Sequence, residues 1–185
     1  MTKTVEMKNL VLRELENSDE TIYRRFFQEC IDSGEKTVPG SAVIDLPDFK
    51  KWVKLKNDNA QGLNLKPDYV PSTTYFLFNN DSHKIVGVIN LRHELNSALT
   101  IFGGNIGYGV IPSERRKGYA SFMLKVGLEF FQRRGTKKVL VTCNSTNEGS
   151  RKTILKCGGV FENSVTTADG EQHERYWIKT KRRND

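Results

Sequence analysis

Long apolar runs are missing from this chain, and a transmembrane helix needs about 20 consecutive apolar residues, so no membrane span is expected. The opening residues, Met1-Thr-Lys-Thr-Val-Glu-Met-Lys-Asn9, hold no apolar signal core, which points to a cytoplasmic protein with no membrane partner. Cysteine is scarce. Cys30, Cys143 and Cys157 are odd in number and contain no C-x-x-C pair, so neither a disulfide framework nor a zinc site is indicated, and no metal is expected. Low-complexity tracts are absent too, and 37% hydrophobic with 28% charged residues excludes a largely disordered chain. At 185 residues without an internal repeat, the chain reads as one domain, 1–185, able to bury a sizeable core. Two phosphate-binding signatures are also missing: no G-x-G-x-x-G precedes an acidic residue at the dinucleotide spacing, and no G-x-x-x-x-G-K-[ST] occurs.

The charge is one-sided, at +7. Part of the excess lies in Lys179-Thr-Lys-Arg-Arg183, a terminal run without the interleaved aromatic residues that stack on bases, so nucleic acid is not an expected partner. Another part lies in Val110-Ile-Pro-Ser-Glu-Arg-Arg-Lys-Gly-Tyr-Ala120. Before this stretch, Asn105–Ile111 reads as a strand that Pro112 stops by removing a ladder donor. After it, Met123, Val126, Gly127, Phe130 and Phe131 repeat at the spacing of one buried helical face, so a helix begins near Gly118. The first N–H groups of a helix have no intrahelical acceptor and lie at the positive end of its dipole. A glycine and three cations at that point make a phosphate-binding turn gripped mainly by amides.

This turn is similar, residue by residue, to the V-x-P-x-x-R-x-x-G-x-A turn of the GNAT acyltransferase superfamily, at Val110, Pro112, Arg115, Gly118 and Ala120. Downstream, the strand Val139–Cys143 leads through Asn144 into a short helix whose Asn147 and Ser150 resemble the family's N-x-x-S, with Lys156 and Gly158 as its K-x-G. Asn147 and Ser150 are also good helix-capping residues, and both readings stand. The end of the chain, Gly158–Asn163 and Arg175–Ile178, resembles predicted bacterial acetyltransferases of this superfamily.

The remaining elements agree in order. Val5–Leu15 reads as a strand, Ser18 as the N-cap of a helix through Ile22, Phe26, Phe27 and Cys30, and Gly34 as its end. Pro47 is expected as the first residue of a second helix carrying Phe49, Trp52, Val53 and Leu55, followed by a long loop over Asn57–Pro71. Thr73–Phe78 and Ile85–Leu91 form a hairpin, and Gly159–Ser164 with His173–Lys179 a closing one. The order β-α-α-β-β-β-α-β-α-β-β resembles the GNAT fold, an α/β architecture in which a mixed twisted sheet of about seven strands carries four helices on both faces. The closing hairpin is a candidate face for a homodimer.

The resemblance implies an N-acetyltransferase using acetyl-CoA as co-substrate, with direct transfer to a primary amine of a small molecule or peptide in a ternary complex. An alternative is a non-catalytic acyl-CoA-binding sensor. Coenzyme A would lie against Tyr108, Val110 and Ile111, then Arg115, Arg116, Lys117, Gly118, Tyr119, Ala120 and Ser121, with Asn144, Asn147 and Ser150 opposite. The chain departs from the family at both usual acid–base positions: Ile154 stands where a tyrosine often does, and Gly103-Gly-Asn-Ile-Gly107 carries no glutamate. His93 and Glu94 are the candidate bases, and Tyr108 and Tyr176 the candidate acids. Cys143 is a candidate nucleophile with no histidine near it in sequence. Glu29, Asp32, Asp45 and Asp48 could attract a cationic acceptor.

Overall fold

In the computed structural model, which describes residues 9–34, 40–43 and 47–180, alternating apolar residues in the strands send side chains to two separate cores. The elements are β1 (Leu10–Arg13), α1 (Glu20–Asp32), α2 (Phe49–Ala60), β2 (Ser72–Asn79), β3 (Lys84–Arg92), β4 (Ile106–Val110), α3 (Tyr119–Arg133), β5 (Lys138–Asn144), α4 (Glu148–Lys156), β6 (Gly159–Thr166) and β7 (Gln172–Lys179). On β3, Val86, Ile89 and Leu91 join Met123, Leu124 and Phe131 of α3 and Ile154 of α4. Ile85 and Val88 turn the other way, to Tyr23 and Phe26 of α1 and Phe49 and Trp52 of α2. That second core is aromatic. Tyr23 lies 5.0 Å from Trp52 and 5.4 Å from Phe49 between ring centroids, and its hydroxyl donates to the Ala42 carbonyl at 2.8 Å, which satisfies the one polar atom it buries.

The seven strands form two ladders, β1-β2-β3-β4 and β5-β7-β6, and every pairing within them is antiparallel. The sheet expected to be mixed is therefore divided between β4 and β5, which share no ladder. Among the described residues they are clipped where β4 begins. Gly104 bridges Val141, the Asn105 N–H donates to the Leu140 carbonyl at 2.7 Å, and the Leu140 N–H returns to Asn105 Oδ1 at 2.9 Å. Asn105 thus uses its side chain as a second strand edge. Beyond this clip β4 has β3 as its one ladder partner among the described residues, and no strand pairs with its other edge.

Helix starts differ from expectation by a residue or two. Ser18 falls inside a 3-10 turn, Asn17–Asp19, and α1 starts after Asp19, whose carboxylate accepts from the Glu16 N–H at 2.7 Å and from Arg13 at 2.6 Å. Pro47 precedes α2, and Asp48 caps it by accepting from the Lys51 N–H at 3.1 Å. The same helix runs on to Ala60, into the stretch expected as loop, because Lys54 and Asp58 pair one turn apart at 2.7 Å and Asn64 returns to Asp58 at 2.9 Å. The expected strand start at Val5 and the acidic Asp45 lie outside the described residues.

Candidate active site

Between β4 and α3 the chain makes two left-handed steps, at Arg116 (φ +65°) and Gly118 (φ +88°). These turn successive N–H groups the same way. The first helical bond of α3 runs from the Phe122 N–H to the Gly118 carbonyl at 3.0 Å, so the N–H groups of Arg116 to Ser121 have no acceptor among the described residues. Six unpaired donors at a helix start form an anion cradle. Arg115 shapes it by donating from Nε to the Val110 carbonyl at 3.1 Å. Lys117 turns aside to Glu114, 2.8 Å away, while Arg116 remains on the cavity wall.

The open edge of β4 leads away from this cradle. Arg92 N–H bonds to the Asn105 carbonyl and Ile111 N–H to the Val86 carbonyl, at 2.8 and 3.2 Å. By the alternation of an antiparallel ladder, residues 107 and 109 also bond toward β3, so the amides of Ile106, Tyr108 and Val110 face the gap before β5. A cavity of about 1000 Å³ fills that gap, within the upper range for small-molecule sites. Of the residues expected to hold coenzyme A, its lining includes Tyr108, Val110, Ile111, Arg115, Arg116, Gly118, Tyr119, Ala120, Ser121, Asn144, Asn147 and Ser150; Lys117 is the exception. A second, more open hollow of about 610 Å³ beside α2 is lined by Lys50, Lys51 and Lys54. It has no comparable row of free amides.

Asn147 and Ser150 both make bonds within the protein while lining the cavity. Asn147 Oδ1 caps α4 by accepting from the Ser150 N–H at 3.0 Å, and Ser150 Oγ lies 3.0 Å from the Tyr108 hydroxyl. That contact spans the gap between β4 and α4. Burial raises the Tyr108 pKa, so the phenol keeps its proton at neutral pH. Ile154, where a tyrosine often stands, is fully buried in the α3-side core.

The expected acid–base residues separate. His93 continues β3 on the α3 side: its ring lies 5.6 Å from Phe130, Nε2 is 2.9 Å from Thr73 Oγ1, and burial lowers its pKa, with Arg134 adding to the effect. Neither His93 nor its neighbour Glu94 lines the cavity. Tyr176 is buried beneath α4. Its hydroxyl donates to Glu174 at 2.7 Å, burial pushes its pKa up to about 12, and it too is absent from the cavity wall. Glu174 also holds Arg151 through two bonds, at 2.7 and 2.8 Å, which keeps its carboxylate below the ordinary range. This is a scaffold that ties α4 to β7.

Sequence reasoning missed the opposite chamber of the cavity. Strand alternation puts Val88 and Arg92 of β3, Gly107 and Gly109 of β4, Thr142 of β5 and His173 of β7 on the face turned away from α3, and all six line the cavity with Phe26 and Cys30 of α1. Phe102 and Gly103, from a single π-helical turn over Leu99–Gly103, complete the wall. Phe102 joins two of these elements: Thr142 Oγ1 donates to its carbonyl at 3.1 Å and its ring meets His173 edge-on at 6.0 Å. Period-two spacing along β3 separates Arg92 from His93, but no sequence signal shows which face opens into a cavity. Cys143, on the α3-side core, has its thiol pKa pushed up to about 11 by burial, which opposes a nucleophilic role.

Residues 9–160 match the acetyltransferase (GNAT) domain family. The chain belongs to that family. It is an acetyl-CoA-dependent acyltransferase, and its seven strands and four helices are those of the fold. Among solved structures, a ribosomal-protein-S5-alanine acetyltransferase from Vibrio fischeri superposes with a TM-score of 0.70 at 15% identity, covering 95% of each chain. A microcin C7 self-immunity acetyltransferase, solved with acetyl-CoA and AMP, gives 0.67 at 18% identity over 93% of each chain. The dodecameric spermidine N-acetyltransferase from Vibrio cholerae gives 0.61 at 16%, covering 93% of this chain and 94% of that one. No curated protein sequence matches the chain. No helix among the described residues is long and apolar enough to cross a membrane.

Proposed function

We propose that the chain moves an acetyl group from acetyl-CoA directly to a primary amine, the two substrates meeting in the β4–β5 gap from opposite faces of the sheet. The observation that carries this reading is the continuity of one cavity from the unpaired amides of Arg116–Ser121 to the chamber around Gly107, Gly109, Arg92 and His173. The cradle binds the pyrophosphate. The outward amides of Tyr108 and Val110 bond the pantetheine arm as a strand edge would, in the opening that the absent ladder leaves.

The amine nitrogen attacks the thioester carbonyl carbon; a C–N bond forms, the C–S bond breaks, one proton leaves nitrogen and one reaches the departing sulfur. An outward β4 amide aimed at the carbonyl oxygen stabilises the charge that develops there, an effect of about 3 kcal/mol per donor in other acyl-transfer sites. Tyr108 lines the gap with a retained proton and is the donor to sulfur. His173 is the imidazole on the acceptor wall and takes the proton from nitrogen.

Titration with acetyl-CoA, followed by thiol release against polyamines, amino acids, aminoglycosides and peptides, tests the reading. Binding with release is expected; absence of binding removes it, and binding without release from any amine favours an acyl-CoA sensor. With the best acceptor, His173→Ala is expected to lower kcat about 100-fold, in the range of general-base losses, with coenzyme A affinity unchanged. His93→Gln should leave kcat within a factor of about two, since its ring packs on the other face. The reverse result, measured from pH 6 to 9, would restore His93 as the base.

A further inference from the structure

Arg92 brings a cation to the acceptor chamber, and no carboxylate among the described residues pairs with it. Its Nη1 donates to the carbonyls of Gly103 and Gly104, at 3.0 Å each, while Nε and Nη2 have no acceptor among the described residues. Those two donors are not sealed in protein, because the only fully buried side-chain donors lacking a partner among the described residues are Trp52 Nε1 and Arg175 Nε. The carbonyls hold the guanidinium in place by one corner, and Arg92 lines the cavity.

Three of the four acids that the sequence offered as a lure for cations are spent elsewhere. Glu29 accepts from Ser113, Asp32 from Gln28 and Asp48 from the α2 amide, and none of the three lines the cavity. Among the described residues, the titratable groups on this side of the lining besides Arg92 are His173, whose Nε2 is 3.6 Å from Glu171, and Cys30. A largely buried guanidinium without a counter-charge is costly, and a ligand that supplies the charge recovers that cost.

We propose that the acceptor is a primary amine bearing a carboxylate, and that Arg92 binds this carboxylate through Nε and Nη2. The proposal rests on the acetyl-transfer reading and deepens it. A planar fork with one free edge matches a carboxylate's two oxygens. A phosphate would call for further donors like those of the Arg116–Ser121 cradle, and among the described residues Arg92 is the one Lys or Arg on this face of the lining; a polyamine would meet a like charge. His173 and Arg92 flank Phe102–Gly103, so one zwitterionic acceptor places its nitrogen toward the first and its carboxylate toward the second.

The test uses the full chain saturated with acetyl-CoA, reading thiol release with free amino acids, with C-terminally amidated peptides that begin with Asp or Glu, with phosphoethanolamine and with spermidine. The first two sets distinguish an α-carboxylate from a side-chain one. For the best acid, conversion to its amide is expected to lower kcat/KM at least tenfold. In Arg92→Gln the acid and amide should come within about twofold of each other, with Arg92→Lys in between and acetyl-CoA affinity unchanged in both. A merely structural role for Arg92 lowers acid and amide alike and keeps their ratio, which would overturn the assignment. So would turnover confined to spermidine or phosphoethanolamine, or turnover of no carboxylate-bearing amine. Loss of acetyl-CoA binding by the native chain, in contrast, would sink the transfer reading itself.

Discussion

Gly118→Glu is expected to weaken acetyl-CoA binding more than 100-fold while leaving the chain folded. At φ +88° the residue occupies a left-handed conformation that glycine adopts freely, and a side chain there costs about 1–2 kcal/mol. Space is not the obstacle, because a Cβ at Gly118 meets no atom within 4 Å. What the substitution changes is charge: a carboxylate enters the cradle of unpaired Arg116–Ser121 amides and opposes the pyrophosphate that they would hold. Gly118→Asn separates the two effects, since asparagine tolerates the left-handed region and carries no charge. Calorimetry should find the Asn variant within about tenfold of the native affinity and the Glu variant without measurable binding. If the Glu variant binds normally, the cradle is not the phosphate site.

The turn was legible because it is local. Pro112 ends a strand, Gly118 starts a helix, and the periodic apolar face of α3 fixes where the helix points; each of these acts within a few residues. Helix starts were less so, since the choice between Ser18 and Asp19, or between Pro47 and Asp48, depends on which carboxylate reaches an amide, and Arg13 and Glu16 decide the first case from outside the helix. Lys54 and Asp58 extended α2 by a pairing that a polar stretch conceals.

The acceptor side was not legible, for a different reason. Adjacent residues on a strand face opposite ways, so His93 and Arg92 were equally close in sequence to the expected groove and fall on opposite sides of the sheet. Tyr176 and His173 separate in the same manner on β7, one buried beneath α4 and the other on the cavity wall. Deciding between such neighbours requires knowing which face each core covers. That follows from long-range packing of α1 and α2 against one side and α3 and α4 against the other.

Gly104→Ala is expected to cost about 3 kcal/mol or more and to lower acetyl-CoA affinity as well. Gly104 has φ +65° and ψ −174°, a region essentially reserved for glycine, where another residue is strained by about 1–3 kcal/mol. A Cβ there would also stand 2.4 Å from the Leu140 carbonyl oxygen, a backbone atom of β5 that cannot rotate away. Relief requires β4 and β5 to separate where, among the described residues, they are joined: Gly104 bridges Val141 and Asn105 exchanges bonds with Leu140. For a chain of this size the loss corresponds to a melting temperature lower by roughly 6–12 °C. Gly135→Ala is the control: its φ is +75° but a Cβ meets nothing within 4 Å, so only the backbone preference, about 1 kcal/mol, is lost. Equal losses in the two variants would show that crowding against β5 is unimportant. A destabilised Gly104→Ala that still binds acetyl-CoA normally would show that the clip supports the fold without setting the width of the gap.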